Sequence, residues 1–181
     1  LYPYIHRDLC INRNKCDKLC GFLPVEKRED PYEYPKAYGV KHLDESVRLS
    51  SRSGAAFIAF SDIILKQGGV VYGAAMQKDF SVRRIRATDF WQRDMMKKAK
   101  YVQSNTTQIY PQVEHDLKSG KAVLFSGTPC QVAGLRAYLQ EMKTDDSKLY
   151  CCDLVCHGVP SPAIWEDYIN YIQDKYKKNI V

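Results

Sequence analysis

A chain of 181 residues, 45% hydrophobic and 27% charged, is long enough to bury a core of its own, and its composition excludes a wholly disordered protein. No stretch approaches the ~20 apolar residues that cross a bilayer, and the longest apolar run, Gly54 to Phe60, is closed by Ser61 and Asp62, so no membrane span is expected. The net charge of +6 gathers at Arg83, Arg84 and Arg86 and again at Arg93, Lys97, Lys98 and Lys100, a distribution that attracts anions. No signature of the common nucleic-acid-binding modules accompanies it, so nucleic acid is not an expected partner.

Residues 1–35 are rich in Pro, Asp, Glu, Tyr and Cys without sustained periodicity, which reads as a small cysteine-containing segment preceding a regular domain over 36–181. Patterning begins at Lys36 to His42, read as a strand, followed by a helix from Ser53 or Gly54 to Gln67 that stops at Gly68. Val70 to Met76 reads as an apolar strand and Ser81 to Ala87 as another, with Thr88 capping a helix that runs to about Lys98. Thr106 to Lys118 carries Ile109, Val113 and Leu117 at helical spacing, although Pro111 can mark the helix start instead. A buried-type strand at Ala122 to Phe125 leads to Thr128 as a cap and Pro129 at the first helical position, with Val132, Leu135 and Leu139 as the apolar face. Leu149 to Val155 is the next strand, and Ser161 and Pro162 open a last helix. Strands alternating with helices of this length predict an α/β fold, a mainly parallel sheet with flanking helices. Asn179 to Val181 reads as the start of one more strand, so the chain is expected to continue beyond Val181.

Seven cysteines cannot form a fully paired disulfide framework, and reduced thiols or metal thiolates in a cytoplasmic protein account for them better. Cys10, Cys16 and Cys20 stand in C-I-N-R-N-K-C-D-K-L-C-G, close to the bacterial ferredoxin run but with Arg13 where a second cysteine belongs and Gly21 in place of the following proline. Three readings stay open: free thiols, an iron-sulfur site completed by another residue, or structural zinc. If the segment follows the two-cluster arrangement, a partner motif is expected before Leu1.

The second constellation is S-G-T-P-C-Q-V-A-G, Ser126 to Gly134, after a strand and opening a helix. Unpaired N–H groups and the helix dipole there stabilise a phosphate or a thiolate, and Cys130 lies in the first turn as a ligand, a nucleophile or an inert thiol. Cys156, in D-L-V-C-H-G-V-P-S-P, follows a strand at the same expected edge of the sheet, where ligands of open α/β sheets collect. Cys151 and Cys152, adjacent in a strand, point to opposite faces and read as core residues.

Taken together, SRSGAAF at 51–57, KYVQS at 100–104, SGTPCQVAGLRAYL at 126–139 and DLVCHGVPSPAIWEDY at 153–168 resemble the beta-subunit family of coenzyme F420 hydrogenase and dehydrogenase, preceded by a degenerate ferredoxin-type segment. The resemblance implies an iron-sulfur flavoprotein subunit. Such a subunit passes electrons between a 4Fe-4S cluster, FAD and the deazaflavin coenzyme F420 or another acceptor, beside a redox partner protein. It implies cluster ligation by Cys130 and Cys156, with further cysteines downstream, and cofactor contacts from Ser53, Gly54, Lys100, Tyr101, Ser104 and Thr128. Ala55 replaces the second glycine of the family's turn near the flavin. Two other classes remain open: a binding module holding phosphate at the Thr128 turn and zinc at the N-terminal cysteines, and a thiol enzyme with Cys130 as nucleophile.

Overall fold

The computed structural model describes residues 5–14, 16 and 34–177. Of the first 35 residues it thus places only part. There Arg7–Leu9 makes one exposed 3-10 turn, and Cys20 lies outside the described residues.

Four strands form one sheet in the order β2-β1-β3-β4: β1 (Val70–Met76), β2 (Val82–Ala87), β3 (Val123–Gly127) and β4 (Leu149–Asp153). The β1–β3 and β3–β4 pairs are parallel, and β2 turns back antiparallel on β1 with Ala74 opposite Arg84. The α/β expectation of a mainly parallel sheet therefore holds, with one antiparallel edge.

Six helices accompany the sheet among the described residues: α1 (Glu45–Ser50), α2 (Ala56–Lys66), α3 (Phe90–Asp94), α4 (Ile109–Lys118), α5 (Pro129–Glu141) and α6 (Pro162–Tyr176). Alternation along β1 and β3 splits the core into two layers. Val70, Tyr72, Val123 and Phe125 face α4 and α5 through Ile109, Val113, Leu117, Val132, Leu135 and Leu139. On the other face Val71 and Leu124 pack with Ile64 and Leu65 of α2 and with Met96. Cys151 and Cys152 fall on opposite faces of β4 against these two layers, as their adjacency predicts.

Several local expectations need correction. Lys36 to His42 forms no strand: the segment is largely exposed, and the outer side of β2 is bridged by Asn105 instead. Asp89 rather than Thr88 caps α3, accepting from the Gln92 N–H at 2.8 Å. That helix ends at Asp94 instead of near Lys98, because Met96 turns into the core and Lys98 takes a φ of +68°. The short α1 was not expected; Asp44 caps it through Ser46 N–H at 2.8 Å and Val47 N–H at 3.3 Å. Pro111 sits third in α4, where its missing N–H costs the helix nothing.

Two polar networks tie the layers together. Asp116 of α4, 1% exposed, accepts from the Tyr72 hydroxyl at 2.7 Å, from Arg86 Nε and Nη2 at 2.7 and 2.8 Å, and from Lys121 Nζ at 3.1 Å. Arg93 of α3, also buried, donates to the Ser61 hydroxyl at 2.6 Å, to the Ile58 carbonyl at 3.3 Å, to Asp62, and to Asp94 at 2.8 Å, fastening α3 to α2.

Candidate functional site

Because β1, β3 and β4 run the same way, their carboxyl ends share one rim. The Gly127 carbonyl accepts the Leu154 N–H at 2.8 Å, so the segments leaving β3 and β4 start side by side, one leading to Cys130 and the other to Cys156. A cleft of about 230 Å³ opens at this rim between α5 and the 98–106 segment. That is below the ~300–1,000 Å³ of most small-molecule sites, so the cleft suits part of a larger ligand. Its ionisable lining consists of Arg84, Lys98, Lys100 and Cys130, with no carboxylate.

The 98–106 segment is held across the cleft by backbone pairing: Arg84 N–H donates to the Asn105 carbonyl at 3.0 Å and Asn105 N–H to the Val82 carbonyl at 2.9 Å. Val102 buries beneath it while Tyr101 stays exposed. Lys100 turns its ammonium onto the Lys97 carbonyl at 2.6 Å and the Lys98 carbonyl at 3.0 Å. Burial pushes the Lys100 pKa down to about 8.

At the start of α5 the Thr128 N–H donates to Gln131 Oε1 at 3.2 Å, the reach-back bond of a capping box. The same oxygen accepts from Arg84 Nη2 at 2.5 Å, and Gln131 Nε2 donates to the Ser104 hydroxyl at 3.0 Å. Gln131 therefore joins β2, α5 and the 98–106 segment. Thr128 Oγ1 lies 3.2 Å from Cys130 Sγ, within hydrogen-bond reach of the exposed sulfur.

Of the residues picked out in the sequence, Lys100, Ser104, Thr128 and Cys130 come together on this cleft. Cys156 lies on the neighbouring exposed segment, its sulfur accepting from the Gly158 N–H at 3.4 Å. Ser53, Gly54 and Tyr101 are not among the lining residues. The close approach at Gly54 is to the chain itself, since a Cβ there would meet the Val40 carbonyl oxygen at 2.2 Å. Ala55 takes the left-handed conformation, φ +57°, that glycine adopts without cost. Cys10 and Cys16 are exposed.

Arg84 and Gln131 were missed. Gln131 was legible as the last position of T-x-x-Q, a capping box. Arg84 stood only as one member of the basic cluster at 83–86, with no signal to set it apart from Arg83 and Arg86.

Among the described residues no group of three or more His, Cys, Asp or Glu side chains could hold a metal ion. Burial pushes the Cys151 and Cys152 thiols up, which keeps them protonated near neutral pH. Cys130, Cys156, Cys10 and Cys16 are exposed. Alkylation with iodoacetamide near neutral pH, read by mass spectrometry of peptides, should therefore label those four well before Cys151 and Cys152. Equal labelling of all six would contradict this placement.

Comparison with known proteins agrees with the sequence. Residues 120–180, which include β3, α5, β4 and the length of α6, match the family model for the C terminus of the coenzyme F420 hydrogenase/dehydrogenase beta subunit. No curated protein sequence matches the chain. Among solved structures, a chain of the F420-reducing [NiFe] hydrogenase complex from Methanosarcina barkeri shares the fold, with a TM-score of 0.59 at 17% identity over 84% of this chain. The match covers 54% of that hydrogenase chain, so the present chain spans about half its length. Among the described residues no helix is long and apolar enough to cross a membrane. Over residues 120–180 the chain is thus similar in sequence to the C terminus of coenzyme F420 hydrogenase/dehydrogenase beta subunits, and over most of its length it is similar in fold to a chain of the F420-reducing hydrogenase complex.

Proposed function

We propose that this chain is the flavin-bearing part of an oxidoreductase subunit that relays electrons between an iron-sulfur cluster, FAD and a deazaflavin or other acceptor. The observation that carries the reading is the cleft at the carboxyl rim of the parallel strands: cationic, without a carboxylate, and bordered by Cys130. In this reading FAD, when bound, supplies the redox chemistry. The chain supplies charge from Arg84 and Lys100 and polar contacts from Ser104 and Thr128. Cys130 and Cys156 supply thiolates to a cluster, which the described residues do not complete on their own. The N-terminal Cys10, Cys16 and Cys20 form a separate ferredoxin-type segment. The electrons come from or go to a partner protein, as expected of a relay subunit.

The reading is tested by titrating the protein with FAD and following flavin fluorescence, first near neutral pH and then above it. Lys100 carries its charge below its pKa of about 8 and loses it as pH rises through that value, so FAD affinity should fall over the same range. In Lys100→Met affinity near neutral pH should already be at the level that wild type reaches at high pH, and this pH step should vanish. An unquenched flavin signal at all pH values contradicts the proposal. The phosphate-binding module derived from the same family is favoured in its place if ADP binds and FAD shows no preference over it.

A further inference from the structure

Among the described residues two arginines are buried, Arg84 and Arg93; Arg93 meets the carboxylates of Asp62 and Asp94, and the half-buried Arg86 pairs with that of Asp116. Arg84, 6% exposed, meets none. Its hydrogen bonds go to neutral oxygens, the Ser126 carbonyl and Gln131 Oε1, and its Nε has no partner. Its guanidinium carbon lies 4.6 Å from the centre of the Phe125 ring. Burying a cation without a counter-ion is costly, and neutral oxygens with one aromatic face compensate only in part. Burial indeed pulls the Arg84 pKa down to about 10, which leaves the group cationic near neutral pH.

The surroundings keep this cation in place. Ala74, opposite it in the β1–β2 register, is small. At Gly127 a Cβ would stand 2.9 Å from Arg84 Nη2, so glycine leaves room for the guanidinium at the end of β3. The guanidinium thus reaches the cleft beside the N-terminus of α5, a 13-residue helix whose first N–H groups and dipole favour negative charge. Lys98 and Lys100 add positive charge, and no carboxylate lines the cleft.

We infer that Arg84 is the specificity-determining cation of a phosphate site in this cleft, selecting phosphate-bearing ligands, such as the diphosphate of a nucleotide cofactor, over their unphosphorylated forms. The inference rests on the cleft being a cofactor site but not on the cofactor being a flavin. The planar fork suits a phosphate better than an ammonium would, and Gln131 links its position to Ser104.

The test is calorimetry on the protein with inorganic phosphate, pyrophosphate, ADP and riboflavin, each for wild type, Arg84→Gln and Arg84→Lys, with circular dichroism confirming the fold of each variant. Pyrophosphate and ADP should bind wild type and compete with each other. Arg84→Gln should weaken both by about tenfold or more, and Arg84→Lys by less. Riboflavin should be indifferent to Arg84. Inorganic phosphate alone binding as tightly as ADP would identify a free-anion site rather than a nucleotide one and overturn the selection of cofactors. If Arg84→Gln does not fold, wild type decides: absence of pyrophosphate and ADP binding overturns the inference. FAD binding unaffected by Arg84→Gln would sink this inference while the flavin reading stands. ADP binding that depends on Arg84, in a protein that retains no flavin, would do the reverse.

Discussion

Asp116→Asn should cost about 3–5 kcal/mol of stability, a large share of what a domain of this size possesses. The carboxylate is buried, and its removal leaves the Tyr72 hydroxyl and the Arg86 fork facing an amide that cannot accept from all of them. Burial alone would raise the Asp116 pKa, but hydrogen bonds from Arg86, Tyr72 and Lys121 outweigh it and hold the group well below the usual carboxylate range. The folded state thus keeps the charge that the unfolded chain gives up near the ordinary value of 3.8. The resulting stability is fully present above that value and is lost as pH falls through the depressed one. Urea unfolding at several pH values should show the acid loss in wild type and a flatter limb in Asp116→Asn. A variant within about 1 kcal/mol of wild type would mean that the network is dispensable.

Phe125→Ala should cost a comparable ~3–5 kcal/mol, because the ring is fully buried in the layer beneath α4 and α5. It has a second consequence at the cleft, since the ring face is the surface on which the Arg84 guanidinium rests. Phe125→Leu separates the two effects: it keeps most of the volume, so stability should fall by less than about 1.5 kcal/mol. Pyrophosphate affinity should nevertheless drop in the leucine variant. Equal losses of stability in both variants would show that the ring matters for packing geometry rather than volume.

The sequence carried the sheet and most helices well because their signals were local. Apolar runs at Val70 to Met76 and before Gly127 mark central strands, and T-P at 128–129 marks a helix start that the structure reproduces. The failures lie where tertiary partners decide. Lys36 to His42 has a strand's composition but joins neither edge of the sheet, and at the β2 edge Asn105 makes the bridge instead. The reading of 88–98 as one helix failed because Met96 is needed in the core and Arg93 is anchored on α2. The cleft was legible in part: Thr128, Lys100 and Ser104 came from motifs, whereas Arg84 reaches the cleft only through a side chain extending from β2 to the end of β3, which no periodicity reports.

The central claim, a flavin and iron-sulfur relay, is tested most directly by the anaerobic ultraviolet-visible spectrum of the protein after reconstitution with iron, sulfide and FAD. Iron, sulfide, zinc and flavin would be quantified on the same sample. The expected spectrum is a flavin band over broad iron-sulfur absorbance, with the broad component lost in Cys130→Ser and Cys156→Ser. Flavin retained without sulfide would overturn the role given to the two cysteines. A colourless protein holding neither flavin nor sulfide would contradict the relay as a whole.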